Sequence, residues 1–360
     1  MFAQQGRKPV LNYCTYFDSH YLSRGLAMIR SLRMTDPTCR IFVLCLDEAC
    51  CRILQGMRLA GVILVRLAEF EDPELLQAKR NRTLVEYYWT CTPSWILYCL
   101  RHFGLDRCTY VDADVFFFSN PQPLVEECGN NSVLITEHRF SPAYAEYAVN
   151  GIYNVQFMTF RADPRGWEIL EWWRSACNQW CYYRLEDGKL GDQKYLDDWP
   201  QRFAGVHVLH HPGGAIGPWN VQQYEFQAQD PLNPTLRAVL KKSGAEIPVI
   251  FYHFHNFRLF PGGYAKAIFY EISNQAWKQL YHPYTKALLK AEQEVRDQTK
   301  EILSGGLESQ DETVPSVLLG LRENKDLTQR YLVFDWNRFR RFAGWKAWIC
   351  RVQSPQVFVF

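Results

Sequence analysis

Two short segments of the chain carry residue types suited to chemistry. The first, YVDADVFFFSNP, places Asp112 and Asp114 two apart at the end of a strongly apolar run. Residues two apart in an extended strand point to the same side, so both carboxylates can face one cation. Two unpaired charges at such a place are costly. A hard divalent ion, Mg²⁺ or Mn²⁺, held by one or two carboxylates and by diphosphate oxygens, would relieve that cost and serve a reaction. The plainer alternative is a strand end whose aspartates cap a turn before Asn120 and Pro121. The second segment, FYHFHNF, alternates so that Phe251, His253, His255 and Phe257 share one face with Phe254 opposite. Its histidines can ligate a metal, or can be hydrogen-bonded in a half-buried strand. His210 and His211 read as structural.

Such groups need a frame that holds them. Apolar runs of strand length recur at 11–17, 40–46, 62–67 and 108–118, and apolar residues at helical spacing run from Leu22 to Leu32 and from Leu84 to Phe103. Alternating β and α predicts an α/β fold, a mostly parallel sheet covered by helices, with ligands at the carboxyl ends of its strands. After SNPQP the pattern turns mixed, with strands at 132–138, 153–160, 206–210 and 249–255 and a helix around 165–182. From about Tyr264 it becomes helical. This divides the chain into a nucleotide-binding half (1–120), an acceptor-binding half (121–263) and a helical C-terminal extension with a basic, aromatic tail (264–360).

The composition sets limits on the function. Hydrophobic residues make up 48% and charged residues 22% of the 360, an ordinary globular balance. A net charge of +2 argues against a surface built to coat nucleic acid. The 12 Trp, 20 Tyr and 23 Phe favour stacking platforms, sugar-binding surfaces or a membrane interface as well as core. No window holds 18 uninterrupted apolar residues, and no apolar run precedes the first strand, so the expectation is a cytoplasmic chain. Its cysteines sit in apolar segments without a CxxC pair and read as reduced, buried thiols.

With its neighbours, the aspartate pair resembles the metal motif of nucleotide-sugar-dependent glycosyltransferases of GT-A fold. The likeness is nearest to glycosyltransferase family 8, the glycogenin and galactosyltransferase group, and to related bacterial nucleotide-diphospho-sugar transferases. TYFDSHYLSRGLAMIRSL resembles that group's opening strand and helix, with Thr15, Asp18 and Tyr21 as the implied nucleotide contacts. YNVQFM resembles its Asn-x-Gly segment near the donor sugar, with Asn154 matching and Gln156 replacing the glycine. LGDQKYLDDWP resembles the Asp-Gln segment beside the transferred sugar, which implies catalytic roles for Asp192 and Gln193. HHPGGAIGPWN and FYHFHNF resemble, in two pieces, a motif whose histidine completes the metal site.

The resemblance covers about residues 10 to 260. It implies Asp112, Asp114 and His253 as metal ligands, with His255 as second choice. Ala113 would lie against the nucleotide, and Trp219 and Asn220 on a loop closing over a sugar. Imidazole favours Mn²⁺, with Mg²⁺ an alternative. The family lysine is absent, because Gly217 stands before Pro218; Lys79, Arg80 and Arg82, just before the helix carrying Glu86, are the sequence candidates for meeting the diphosphate.

The implied reaction moves a sugar from a nucleotide diphosphate, UDP by preference, to a glycan or lipid-linked acceptor, and family 8 implies retention. If configuration is inverted instead, Asp192 is the natural general base. Two alternatives stand beside it. DxDxV after an apolar strand resembles haloacid-dehalogenase phosphatases, although the acidic GDQKYLDD segment is spaced one residue too long for them. A non-catalytic sugar- or nucleotide-binding protein on the same scaffold is the other.

The tail carries the remaining signal. In 336–352, Phe339, Phe342, Trp345, Ile349 and Val352 draw one helical face, with Arg340, Arg341 and Lys346 mostly off it. A cationic helix of this kind suits an anionic membrane surface, which would place the protein peripherally on the membrane's inner face, or it docks onto the catalytic domain.

Overall fold

The structure, a computed structural model, describes residues 10–227, 235–260, 264–304 and 358–359. The proposed amphipathic tail helix lies outside them. The centre is a seven-stranded sheet in the order β3-β2-β1-β4-β7-β6-β8. Its strands are Asn12–Phe17 (β1), Arg40–Cys45 (β2), Val62–Arg66 (β3), Arg107–Val111 (β4), Val133–Glu137 (β6), Tyr153–Arg161 (β7) and Val206–Val208 (β8). Val115–Phe117 (β5) leaves this sheet. β7 pairs antiparallel with both neighbours, and every other pairing is parallel. The mostly parallel α/β class expected from the alternating pattern is the one observed, and the sheet is shared by residues of both proposed halves.

Strand alternation explains why both sheet faces are buried. Along β1, Tyr13 and Phe17 point into a core with Val43, Phe157 and the Leu22–Thr35 helix, while Cys14 points into another with Phe42, Trp95 and Trp173. The second face is covered by the Leu84–His102 and Pro164–Gln179 helices. The Leu84–His102 helix begins at a capping box, Thr83 with Glu86, and contains Pro93. The His282–Ser304 helix lies against Leu22–Thr35, with Ala291 and Val295 in the shared core and Arg30 ion-paired with Glu294. The described cysteines are buried and unpaired.

The 108–118 run, read as one strand, is two. β4 ends at Val111, a turn closed by Val115 N–H donating to the Asp112 carbonyl at 3.2 Å intervenes, and β5 pairs antiparallel with Phe251–His253, labelled β12 after the intervening small sheet of β9 (Tyr224–Phe226), β10 (Arg237–Leu240) and β11 (Ala245–Pro248). This break positions the site. The chain reverses its side of the sheet between β1 and β4, and the carboxyl ends at such a switch point border a crevice.

Candidate active site

Asp18 follows β1 and Asp112 follows β4, so both lie at that crevice. The β5–β12 ladder sets His253 opposite Val115, one residue from Asp114. The ladder continues as Phe254 N–H donates to the Asp114 carbonyl at 2.9 Å. The result is a cluster in which His253 Nε2 is 3.0 Å from Asp114 Oδ1 and 3.9 Å from Asp112 Oδ2. One ligand atom from each of the three lies within 4.8 Å of the others. Both carboxylates are half-buried, so a ligand can reach them.

The surroundings fix each group. His253 Nδ1 donates to Gln156 Oε1 at 2.9 Å, which turns Nε2 toward the carboxylates. Tyr110 Oη donates to Asp112 Oδ1 at 2.9 Å. Trp219 sets its ring edge-on to His253 at 5.4 Å between centroids. Burial pushes Asp112 up, and the Asp114 charge adds to this against His253 and the Tyr110 hydroxyl. Burial acts on Asp114 the same way, but the His253 charge and hydrogen bond, with His255 and Arg24 behind them, outweigh it and hold that carboxyl low. His253 is raised in turn, the two carboxylates overcoming its burial. Two carboxylates and an oriented imidazole nitrogen suit a divalent ion such as Mn²⁺.

A third carboxyl stands close to this pair. Asp192 is 4% exposed and accepts from Thr92 Oγ1 at 2.8 Å; Thr92 Oγ1 also bonds Tyr16 Oη at 2.9 Å. Burial, and then the negative charge of Asp112, push Asp192 up to about 7. The Leu84–His102 helix supplies this support from one face, since Tyr88, four residues before Thr92, donates to Asp18 Oδ2 at 3.2 Å. Gln193 donates to the Asn150 carbonyl at 3.3 Å, beside Gly151.

Several sequence expectations need correction in their physical reason. Asp112 and Asp114 share a turn, so the turn and not strand pleating brings them together. β12 ends at His253; His255 lies beyond it, before Asn256 at φ +56°, and pairs with Tyr270 and Asn256 instead of the carboxylates. Trp219 and Asn220 do not sit on an open loop. Both are buried, and Asn220 ties its loop to the end of β6, donating to the His138 and Ala215 carbonyls at 2.7 and 3.0 Å and accepting from Gly217 N–H at 3.0 Å. Asn154 is also committed, accepting from Gln156 N–H at 2.8 Å and donating to His138 Nε2 at 2.9 Å.

Thr15 is fully buried within β1, and Ala113 is buried between the two aspartates. Asp18 caps the turn that carries Tyr21, accepting from the His20 and Tyr21 N–H groups, and Tyr21 is exposed at the crevice. Lys79 pairs with Glu71 at 2.6 Å, Arg80 is exposed, and Arg82 lies over the Tyr182 ring at 3.9 Å. His210 and His211 donate backbone N–H groups to Glu127. The supports that sequence reading missed are Gln156, Tyr110, Thr92 and Arg24. Gln156 had a signal only as the residue that replaces the glycine of the Asn-x-Gly segment; its place beside the strand end that carries Asp112 comes from the antiparallel pairing of β7 with β4.

No family model matches the chain. The uncharacterized protein YfnF of Bacillus subtilis (strain 168) is 34% identical over 255 residues, 69% of this chain and 82% of YfnF. YfnD of the same organism, also uncharacterized, is 31% identical over 279 residues, 76% of this chain and 87% of YfnD. The chain belongs to the family of YfnF and YfnD. Of solved structures, the galactosyltransferase LgtC in complex with donor and acceptor sugar analogs is 15% identical with a TM-score of 0.47, covering 78% of this chain and 96% of LgtC. The glycosyltransferase GlyE of Streptococcus pneumoniae TIGR4 is 13% identical with a TM-score of 0.45, covering 82% and 64%. In this YfnF and YfnD relative, no helix among the described residues is long and apolar enough to cross a membrane.

Proposed function

We propose that this protein is a metal-dependent glycosyltransferase of GT-A type that moves a sugar from a nucleotide diphosphate, UDP by preference, to a glycan or lipid-linked acceptor with retention. The observation that carries this reading is the Asp112, Asp114 and His253 cluster at the carboxyl ends of β1 and β4, backed by a further buried carboxyl, Asp192. A divalent ion bound there would supply Lewis-acid stabilisation of the leaving diphosphate. Asp112, Asp114 and His253 would hold it, and Gln156 keeps the imidazole nitrogen pointed at the site. Tyr21 offers a ring at the crevice mouth for the base, and Asp18 fixes the turn that presents it.

Asp192 and Gln193 are assigned to the sugar side of the site. Asp192 is buried and its carboxylate is committed to Thr92, which favours a group that orients and polarises over a carboxylate exposed to take an acceptor proton. Buried against His253 and His138, Trp219 is assigned the support of the imidazole face.

The test is release of nucleoside diphosphate from a panel of nucleotide sugars, with and without Mn²⁺. Release that requires Mn²⁺ and drops at least about 100-fold in Asp114→Asn is expected. Binding without turnover for every donor and acceptor tried would leave a binding protein in place of an enzyme. Phosphate release from a generic phosphomonoester with no nucleotide requirement would favour a phosphatase.

A further inference from the structure

Two carboxylates and a divalent ion cancel in charge, so a diphosphate entering the site brings negative charge that this set leaves unbalanced. Of the basic residues singled out from the sequence, Lys79 is engaged with Glu71 and Arg82 with the Tyr182 ring and the Asn178 carbonyl, while Arg80 is exposed. Arg24 is placed differently. It stands in the first turn of the Leu22–Thr35 helix, its guanidinium carbon 4.7 Å from the Tyr21 ring centroid. Its Nη2 donates to the Phe257 carbonyl at 3.1 Å.

Those two contacts hold Arg24 between the segments that border the carboxylates. Tyr21 sits on the Asp18-capped turn after β1, and Phe257 follows the His253–Phe254 segment that is hydrogen-bonded to Asp114. Among the described residues no carboxylate forms an ion pair with Arg24, although the side chain is half-buried. Its one hydrogen bond uses one of five donors. The positive charge is already felt at Asp114, where it helps to keep that carboxyl acidic. The Tyr284 hydroxyl, fully buried and without a hydrogen-bond partner among the described residues, feels both Arg24 and Asp114.

Resting on the glycosyltransferase reading, we propose that Arg24 is the cation that binds the diphosphate of the donor. A guanidinium fork matches phosphate oxygens bidentately, and one held by a ring and a backbone carbonyl loses little freedom on binding.

The experiment compares wild type, Arg24→Gln and Arg24→Lys by calorimetry, with UDP, ADP, GDP, CDP and uridine in Mn²⁺, alongside Mn²⁺ binding alone by electron paramagnetic resonance. For the nucleoside diphosphate that wild type binds, the Kd is expected to rise about 30-fold in Arg24→Gln and about 5-fold in Arg24→Lys. Mn²⁺ binding and any uridine binding stay within about twofold. A melting temperature near that of wild type confirms the fold, and if Arg24→Gln fails to fold, the lysine variant carries the comparison. Unchanged diphosphate affinity in a folded variant overturns the assignment alone. A wild-type protein that binds none of the four diphosphates overturns the donor reading and the assignment with it.

Discussion

The proposed site depends on second partners as much as on its three candidate ligands. His253 can present Nε2 to a metal only while Nδ1 carries the proton, and the Gln156 oxygen enforces that at 2.9 Å. Gln156→Leu removes the acceptor while keeping much of the volume. Mn²⁺ affinity is expected to fall about 10- to 100-fold, with Asp112 and Asp114 unaltered. Gln156→Glu, which still accepts the Nδ1 proton, should recover most of that loss. Titration of Mn²⁺ by electron paramagnetic resonance checks both, and a leucine variant that binds like wild type would remove Gln156 from the site. The clustered Asp112, Asp114 and His253 were legible in the sequence as candidate ligands because a carboxylate pair and a His-Phe-His run are locally distinctive. Gln156 was legible only as a missing glycine, since its partner lies 97 residues away and the pairing is set by strand register.

At the scale of elements, the sequence showed the strands of the main sheet and the helices that cover it, but not the short strands Tyr224–Phe226, Arg237–Leu240, Ala245–Pro248, Phe257–Phe260 and Tyr264–Ala267, the last of which lies where a helix was expected, nor where one strand stops being part of the sheet. The YVDADVFFF run is apolar on both sides of the aspartates, so nothing local marks the turn at 112–114. The turn exists because β5 finds a better partner in β12 than in the main sheet. The β1-to-helix junction is equally exacting. A Cβ at Gly25 would lie 2.4 Å from the Phe17 ring, and Phe17 is buried in the core at the end of β1. Gly25→Ala would gain about 1 kcal/mol in helix propensity, yet the clash should outweigh it, for a net loss of about 1–3 kcal/mol. Because the same junction carries Asp18, Tyr21 and Arg24, nucleotide affinity should weaken with it. Urea denaturation and nucleotide binding measure the two effects, and a variant as stable as wild type would show that the helix can back away freely.

For the molecule as a whole, the pH dependence of stability reports the charge kept inside it. Asp192 lies near pKa 7 in the fold, against about 3.9 in an unfolded chain. Between these values the folded state binds more protons than the unfolded one, so the Asp192 contribution makes stability fall as pH rises through that window and then level off. Other groups work against it. His138 and His255 are held down to about 3 and about 4, chiefly by burial, and therefore favour the fold above the usual histidine range and lose that contribution as pH falls. A pH profile of the wild type alone mixes these slopes, so the contribution has to be read as a difference. Asp192→Asn keeps an oxygen that can accept from Thr92 and cannot ionise. In metal-free protein, its stability relative to wild type should climb by on the order of 4 kcal/mol between pH 4 and pH 8, with most of the change below about pH 7. A difference that stays flat across this range would mean that Asp192 ionises in the fold as easily as in water.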